Sequence, residues 1–238
     1  LLEEALQGKA AIVTGAGSGL GEATATLLVR AGVSVAVVDL DIERAERVAT
    51  VLRGERADSI ALGVDVGDAH QVERAVGEAL EAFGRIDFVI NNAGTDYVLP
   101  ISEMTVDQWD RVIGVNLRAA FLFAKAVLPI MERQGGGHIV NIASTAAKRA
   151  WSNASAYHAS KVGAAGFHSS PGGGRSAFRG QGDGPGARRD ADPLLRQAGS
   201  AARPDQAPGS VQRGADNPVR SCPTGRVRRA GSDRHTAQ

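Results

Sequence analysis

The stretch from Lys9 to Ala31 constrains the fold more than any other in this chain. Residues 9–14 read as a short apolar strand that runs directly into Thr14-Gly15-Ala16-Gly17-Ser18-Gly19-Leu20-Gly21, and then into a helix-forming run ending at Ala31. A strand, a glycine-rich turn and a helix N-terminus aim backbone N–H groups and the positive helix end at one point, which suits a pyrophosphate. Larger residues in that turn would block the approach of the phosphates or the packing of helix on strand. A second strand over residues 33–38 then delivers Asp39 at its carboxyl end. A carboxylate placed there can accept hydrogen bonds from both hydroxyls of an adenosine ribose, and it repels a 2′-phosphate. No Arg or Lys lies inside the glycine loop or just after Asp39, so the expected cofactor is NAD rather than NADP.

The chain continues as alternating helices and strands up to about residue 168, the pattern of a parallel sheet wound on both faces. Residues 42–52 read as a helix and residues 59–64 as a third strand. Asp68 opens a helix with Gln71 as capping-box partner, and Val72, Val76, Leu80 and Phe83 recur at helical spacing. Residues 86–90 read as a buried strand ending at Asn91-Asn92-Ala93-Gly94. Thr105 and Gln108 form a second capping box, opening a long helix through Asn116 towards Met131 with Pro129 near its end. Residues 137–142 are the fifth strand and residues 155–167 a last helix. The fold class expected is α/β, a doubly wound, Rossmann-like parallel sheet in three layers.

Acid–base equipment lies at the end of that region. Ser144 is followed thirteen residues later by Tyr157, and Lys161 lies four residues beyond the tyrosine. On a helix the last two share a face and can address one ligand. A phenol is a poor base at neutral pH, and a fixed cation nearby favours its phenolate. A hydroxyl, a phenol and an ammonium so grouped can move a proton to or from an alcohol.

These residues occur together in one known pattern. Residues 8–167 resemble the short-chain dehydrogenase/reductase family, whose pattern includes a Thr-Gly-x-x-x-Gly-x-Gly loop, an Asn-Asn-Ala-Gly turn and Tyr-x-x-x-Lys. Thr14 to Gly21, Asn91 to Gly94 and Tyr157 to Lys161 match it in order, and Ser144 precedes the tyrosine at the family's spacing. Asp65, in Gly-Val-Asp-Val, matches the acidic residue that meets the adenine, and Asn116, in Val-Asn-Leu, the helix residue that holds a water in the proton relay.

The resemblance implies an oxidoreductase that transfers a hydride between NAD(H) and a small alcohol or ketone. It implies that Tyr157 is the general acid/base, that Ser144 holds the substrate oxygen, and that Lys161 binds the nicotinamide ribose and favours the phenolate. Asn116 would pass protons onward through water. It further implies a dinucleotide held by Gly15, Ser18, Gly19, Leu20, Gly21, Asp39, Asp65, Val66, Asn92, Ala93, Gly94, Tyr157 and Lys161. For Asn92, pinning neighbouring strands and touching the cofactor stand as equal readings. The intact enzyme would be a homodimer or homotetramer, as the family usually is.

Beyond Phe167 the composition changes in kind. Residues 1–168 hold 15 Lys+Arg and 20 Asp+Glu, whereas residues 169–238 hold 12 Arg, no Lys and 6 Asp. The second part also carries 12 Gly and 7 Pro against only six large apolar residues, Phe178, Leu194, Leu195, Val211, Val219 and Val227. So few cannot bury enough surface to offset the entropy of ordering, so a low-complexity, disordered tail over 169–238 is expected after a domain over 1–168.

The family calls there for a sixth strand ending in Pro-Gly, a substrate-covering segment and a seventh strand. None is legible, and the Arg/Gly/Ala/Pro bias is what a GC-rich gene gives when read out of frame. Cutting each codon one base later turns Asp190-Ala191 into Met or Thr and Asp192-Pro193 into Ile or Thr. It permits Pro-Gly at positions 187 and 188, about where the family places it. A frameshift near residue 168 is therefore expected. Without the last strands, the fifth becomes an exposed, aggregation-prone edge.

The formal charge of +1 for 238 residues suggests neither a nucleic-acid binder nor an enzyme of acidic substrates, and the tail's arginines lack interleaved aromatics. No apolar run approaches the roughly 20 residues that span a bilayer, and no basic-then-apolar leader opens the chain. A soluble, cytoplasmic protein with no membrane partner is expected. Opening on Leu-Leu without Met suggests a start inside a longer reading frame or after processing. The single Cys222 and five scattered histidines offer no metal site. Those histidines read as surface or hydrogen-bonded residues, and Trp109 and Trp151 as packing or substrate-mouth residues. Asp96, Tyr97, Lys148, Arg149 and Trp151 are too few to define a ligand, but their mixed charge favours a polar substrate over a steroid or long acyl chain.

Overall fold

The structure, a computed structural model, describes residues 5–169. The expectations of a domain boundary at 168, of tail disorder and of a shifted reading frame concern residues outside the described ones. Strand β1 (Ala10–Thr14) leads into α1 (Gly19–Arg30), followed by β2 (Ser34–Asp39), α2 (Ile42–Leu52), β3 (Ser59–Gly63), α3 (Ala69–Phe83) and β4 (Phe88–Asn91). Helix α4 (Val106–Ile113) passes through a π-helical turn, Gly114–Arg118, into α5 (Ala119–Arg133). Strand β5 (His138–Asn141), a 3₁₀ turn (Thr145–Ala147) and α6 (Ser155–Ser169) complete the order.

All five strands are parallel, in the order β3-β2-β1-β4-β5. Alternate residues of one strand enter opposite cores. Ala11 and Val13 of β1, with Val35 and Val37 of β2, pack against Ala25 and Val29 of α1 and Val48 and Leu52 of α2. Ile12, Ala36 and Val38 point the other way, onto Val72 and Val76 of α3 and Phe123, Val127 and Met131 of α5. Burial on both faces is why these strands read as continuous apolar runs. The strand order reverses between β1 and β4, and such a switch opens a crevice at the carboxyl ends of the strands.

The opposite end of the sheet is tied by Asp87. Its carboxylate accepts from the Ala10 N–H at 3.0 Å and from Arg85 at 2.6 Å twice, and it pairs with Lys9 at 3.2 Å. Burial alone would raise its pKa, but the Arg85 hydrogen bonds, the Ala10 N–H and Lys9 outweigh that and hold it below the usual aspartate value.

Two local expectations need correction. Asp68 caps α3 by accepting from the Gln71 N–H at 2.9 Å, but Gln71 Oε1 accepts from Asp65 N rather than closing a capping box. At α4 the box of Thr105 and Gln108 is complete. The unbroken helical run Val106–Arg133, the long helix expected there, is also apolar enough by mean hydropathy, 1.5, to cross a membrane, although no apolar run of that length is expected from the sequence. It arises because the π turn joins α4 to α5 end to end. Its Val115, Phe123, Val127 and Met131 are buried in the core beneath the sheet, as in a core helix.

Candidate active site

The crevice at the carboxyl ends of β1, β2 and β4 is a cleft of about 420 Å³. Gly15, Ser18, Gly19, Leu20, Asp39, Asp65, Val66, Asn92, Ala93 and Gly94 all line it, ten of the thirteen residues expected to hold a dinucleotide. Gly15 and Gly19 adopt φ of 62° and 57°, which side chains rarely allow. A Cβ on Gly15 would lie 2.9 Å from the Ala93 Cα, and one on Gly21 would meet the Gly15 carbonyl oxygen and, at 2.7 Å, the Asn92 Nδ2. Gly21 therefore packs behind the loop.

Helix α1 starts there without a side-chain cap. Ser18 occupies its N-cap position but makes no capping hydrogen bond, whereas Asp41, Asp68 and Thr105 cap α2, α3 and α4 with their side chains. The first N–H groups of α1 are thus left for a ligand, at the positive end of the helix. This cradle fits a pyrophosphate.

Side chains fix the loop from both sides. Asn92 donates from Nδ2 to the carbonyls of Thr14, at 2.9 Å, and Gly15, at 3.1 Å, while Thr14 Oγ1 accepts from the N–H groups of Asn92 and Ala93, each at 3.0 Å. Asn92 both pins β4 to the loop and lines the cleft. Arg47 of α2 donates to the Gly17 carbonyl at 2.8 Å and pairs with Glu22, whose carboxyl it holds below the usual value.

The two acidic residues, Asp39 and Asp65, both line the cleft, with partners the sequence does not reveal. Asp39 Oδ2 accepts from the Gly17 N–H at 2.9 Å and Oδ1 from the Asp41 N–H at 3.1 Å. Asp65 accepts from the Gly67 N–H at 2.9 Å and pairs with Arg111 of α4 at 2.6 Å. Arg111 also lines the cleft and lies too far along the chain to be found by local pattern. Arg44 lines it as well, its stem beside Gly17 and Asp39 and its guanidinium 3.0 Å from Asp41. Five residues past Asp39, it arrives because the first turn of α2 returns to the end of β2.

Of the residues expected to handle a proton, Ser144 lies in the turn after β5, and Tyr157 and Lys161 lie on helix α6. Lys161 is 6% exposed, and its Nζ donates to the Ile142 carbonyl at 3.0 Å and stands 5.6 Å from the centroid of the Tyr157 ring. Burial lowers its pKa. It lines a small inner cavity with Asn116, and Ala93 and Val115 border both that cavity and the cleft. Ser144 precedes the 3₁₀ turn, and its Oγ accepts from the Ala146 N–H at 3.1 Å. Among the described residues no hydrogen bond links Ser144 to Tyr157.

Asn116 is buried in the π-helical turn, a distortion that is frequent at functional sites. Its Oδ1 accepts from the Thr95 N–H at 2.8 Å, and its Nδ2 donates to the Thr95 carbonyl at 2.8 Å and to Ser160 Oγ at 3.1 Å. Its side chain is therefore a clamp between the turn after β4 and helix α6.

Comparison with known proteins gives the family. The chain is 42% identical over 161 residues to a D-threitol dehydrogenase of Mycolicibacterium smegmatis, covering 68% of this chain and 62% of that protein. It is 40% identical over 159 residues to a levodione reductase of Leifsonia aquatica, covering 66% and 60%. It thus spans about three fifths of the length of these relatives. An NAD+-bound xylitol dehydrogenase superposes with a TM-score of 0.65 at 34% identity, over 68% of this chain and 63% of that one. A metagenomic short-chain oxidoreductase in complex with NADP superposes with a TM-score of 0.64 at 36% identity, over 68% and 74%. Residues 9–172 match the family model for short chain dehydrogenases, and this chain belongs to that family.

Proposed function

We propose that this chain carries the dinucleotide-binding and proton-transfer parts of an NAD-dependent dehydrogenase or reductase for a small, polar alcohol or ketone. Lys161 carries the reading: a buried ammonium faces the Tyr157 ring at 5.6 Å and lines a cavity that adjoins the cleft. When bound, the nicotinamide supplies hydride acceptance or donation. Tyr157 exchanges a proton with the substrate oxygen, Ser144 orients that oxygen, and Lys161 holds the ribose and favours the phenolate through its charge. Asn116, with its side chain committed to Thr95 and Ser160, acts in this scheme by positioning.

Asp39 favours NAD, because a carboxylate at the end of β2 would repel a 2′-phosphate. Arg44 favours NADP, but it is already paired with Asp41. The relatives' names cover threitol, levodione and xylitol, which supports a small polyol or ketone, and the 49% exposed Trp151 beside Tyr157 offers such a molecule a flat wall. The expected homodimer or homotetramer belongs to this proposal.

A second reading is a non-catalytic product that binds dinucleotide weakly or folds poorly. Its support is the family match ending at residue 172 of 238. Titration with NADH, then turnover with small polyols and ketones, separates the two. The enzyme reading expects NADH binding and turnover that Tyr157→Phe abolishes without weakening binding. Binding with no turnover on any substrate supports the second reading.

A further inference from the structure

We propose that His158 is a positioning residue, which clips the loop between the 3₁₀ turn and α6 so that Ser144 and Trp151 stand in fixed places relative to Tyr157. Its ring bridges two main-chain groups. Nε2 lies 2.6 Å from the Trp151 nitrogen, and Nδ1 lies 2.7 Å from the Ala146 carbonyl oxygen. The Trp151 N–H can only donate, so Nε2 accepts, and Nδ1 carries the hydrogen given to Ala146. One imidazole thus closes a ring of main chain from Ala146 to Trp151 onto helix α6.

Each end of that ring leads to a site residue. Ala146 donates its N–H to Ser144 Oγ, so the grip on the Ala146 carbonyl also fixes the turn that presents the Ser144 hydroxyl. Trp151 stacks on Tyr157 with centroids 6.5 Å apart and planes at 13°, and it meets His158 edge-on at 5.7 Å. Next along the loop, Asn153 takes a left-handed φ of 61°, the only described non-glycine residue to do so, and its carbonyl accepts from the Leu99 N–H at 2.9 Å. Strain of this kind persists only where neighbours over-determine the backbone, and the His158 clip supplies part of that constraint.

The test uses the full chain carrying W109F, so that Trp151 is its sole tryptophan, with H158Q and H158F. Glutamine offers both a donor and an acceptor, and phenylalanine keeps a ring with neither. In H158F the Trp151 emission shifts to the red and its quenching by acrylamide rises about twofold, while H158Q stays near the parent. For turnover, where the role rests on the enzyme reading above, H158F loses kcat by about tenfold with the KM for NADH unchanged, and H158Q recovers most of it.

Unchanged Trp151 emission in H158F overturns the proposal, as does a loss in H158Q equal to that in H158F. If H158F does not fold, the long-range proton–nitrogen NMR spectrum of the parent decides: the Nδ1–H tautomer is expected, and an Nε2–H tautomer overturns it. If the parent turns over no substrate, the enzyme reading fails while the fluorescence and NMR outcomes still judge the clip.

Discussion

At the residue scale, Lys161 pays for its place beside Tyr157. Burial disfavours its ammonium, so the unfolded chain holds that proton to higher pH than the folded one does. Stability contributed at this residue therefore rises with pH, from the lowered folded pKa up to the ordinary lysine value of 10.5. In Lys161→Met that part of the slope disappears and proton transfer goes with it. Melting temperature by circular dichroism between neutral pH and pH 10.5 checks this; an unchanged slope means that the ammonium is not desolvated. Asp39 gives a second residue-scale expectation. In Asp39→Ser the ratio of NADPH to NADH affinity rises by about tenfold or more, because the carboxylate proposed to repel a 2′-phosphate is gone while Arg44 remains in the cleft. Equal ratios in both proteins, measured by fluorescence titration, would remove Asp39 as the discriminator.

At the scale of elements, the loop between β1 and α1 works because β4 holds it. Asn92→Leu leaves the Thr14 and Gly15 carbonyls without their side-chain donor, at a cost of about 2 kcal/mol. Lower stability in urea, together with weaker NADH binding, is expected. A loss of stability with intact binding would mean that the pin serves the sheet alone. Such long-range ties separate what is legible in the sequence from what is not. The residues of α2 follow from local pattern, as does the capping box at Thr105, because partners three residues apart specify them. The π turn has no such signal, since Gly-Val-Asn-Leu-Arg keeps ordinary helical spacing and is distorted by what Asn116 must reach. The Gln71 side chain escapes prediction for a related reason, because the Asp65 N–H takes the role that local pattern gives to the cap. Arg111 on Asp65 and Asp87 under β1 depend on elements 46 and 77 residues away, which no window of sequence brings together.

At the scale of the whole molecule, the sheet of the described residues ends at β5, where Val140 is 40% exposed. The matched region also stops well before the chain does, and the match covers only about three fifths of the relatives' length. The composition of residues 169–238 explains that mismatch if the frame shifts near residue 168, and a further strand beside β5 would cover an edge that otherwise invites association. Two full-length versions test this, the chain as written and one re-read a single base later from that point. The restored version is expected to give the higher soluble yield and to oxidise NADH with a ketone partner, losing turnover in Tyr157→Phe. The nucleotide sequence gives an independent check, since stop codons or the lack of Pro-Gly near positions 187 and 188 in the shifted frame would sink the idea. Turnover by the chain as written equal to that of the restored version would place a complete active site within the matched residues. In that case the arginine-rich segment is a genuine part of the protein, and the β5 edge is covered in some other way.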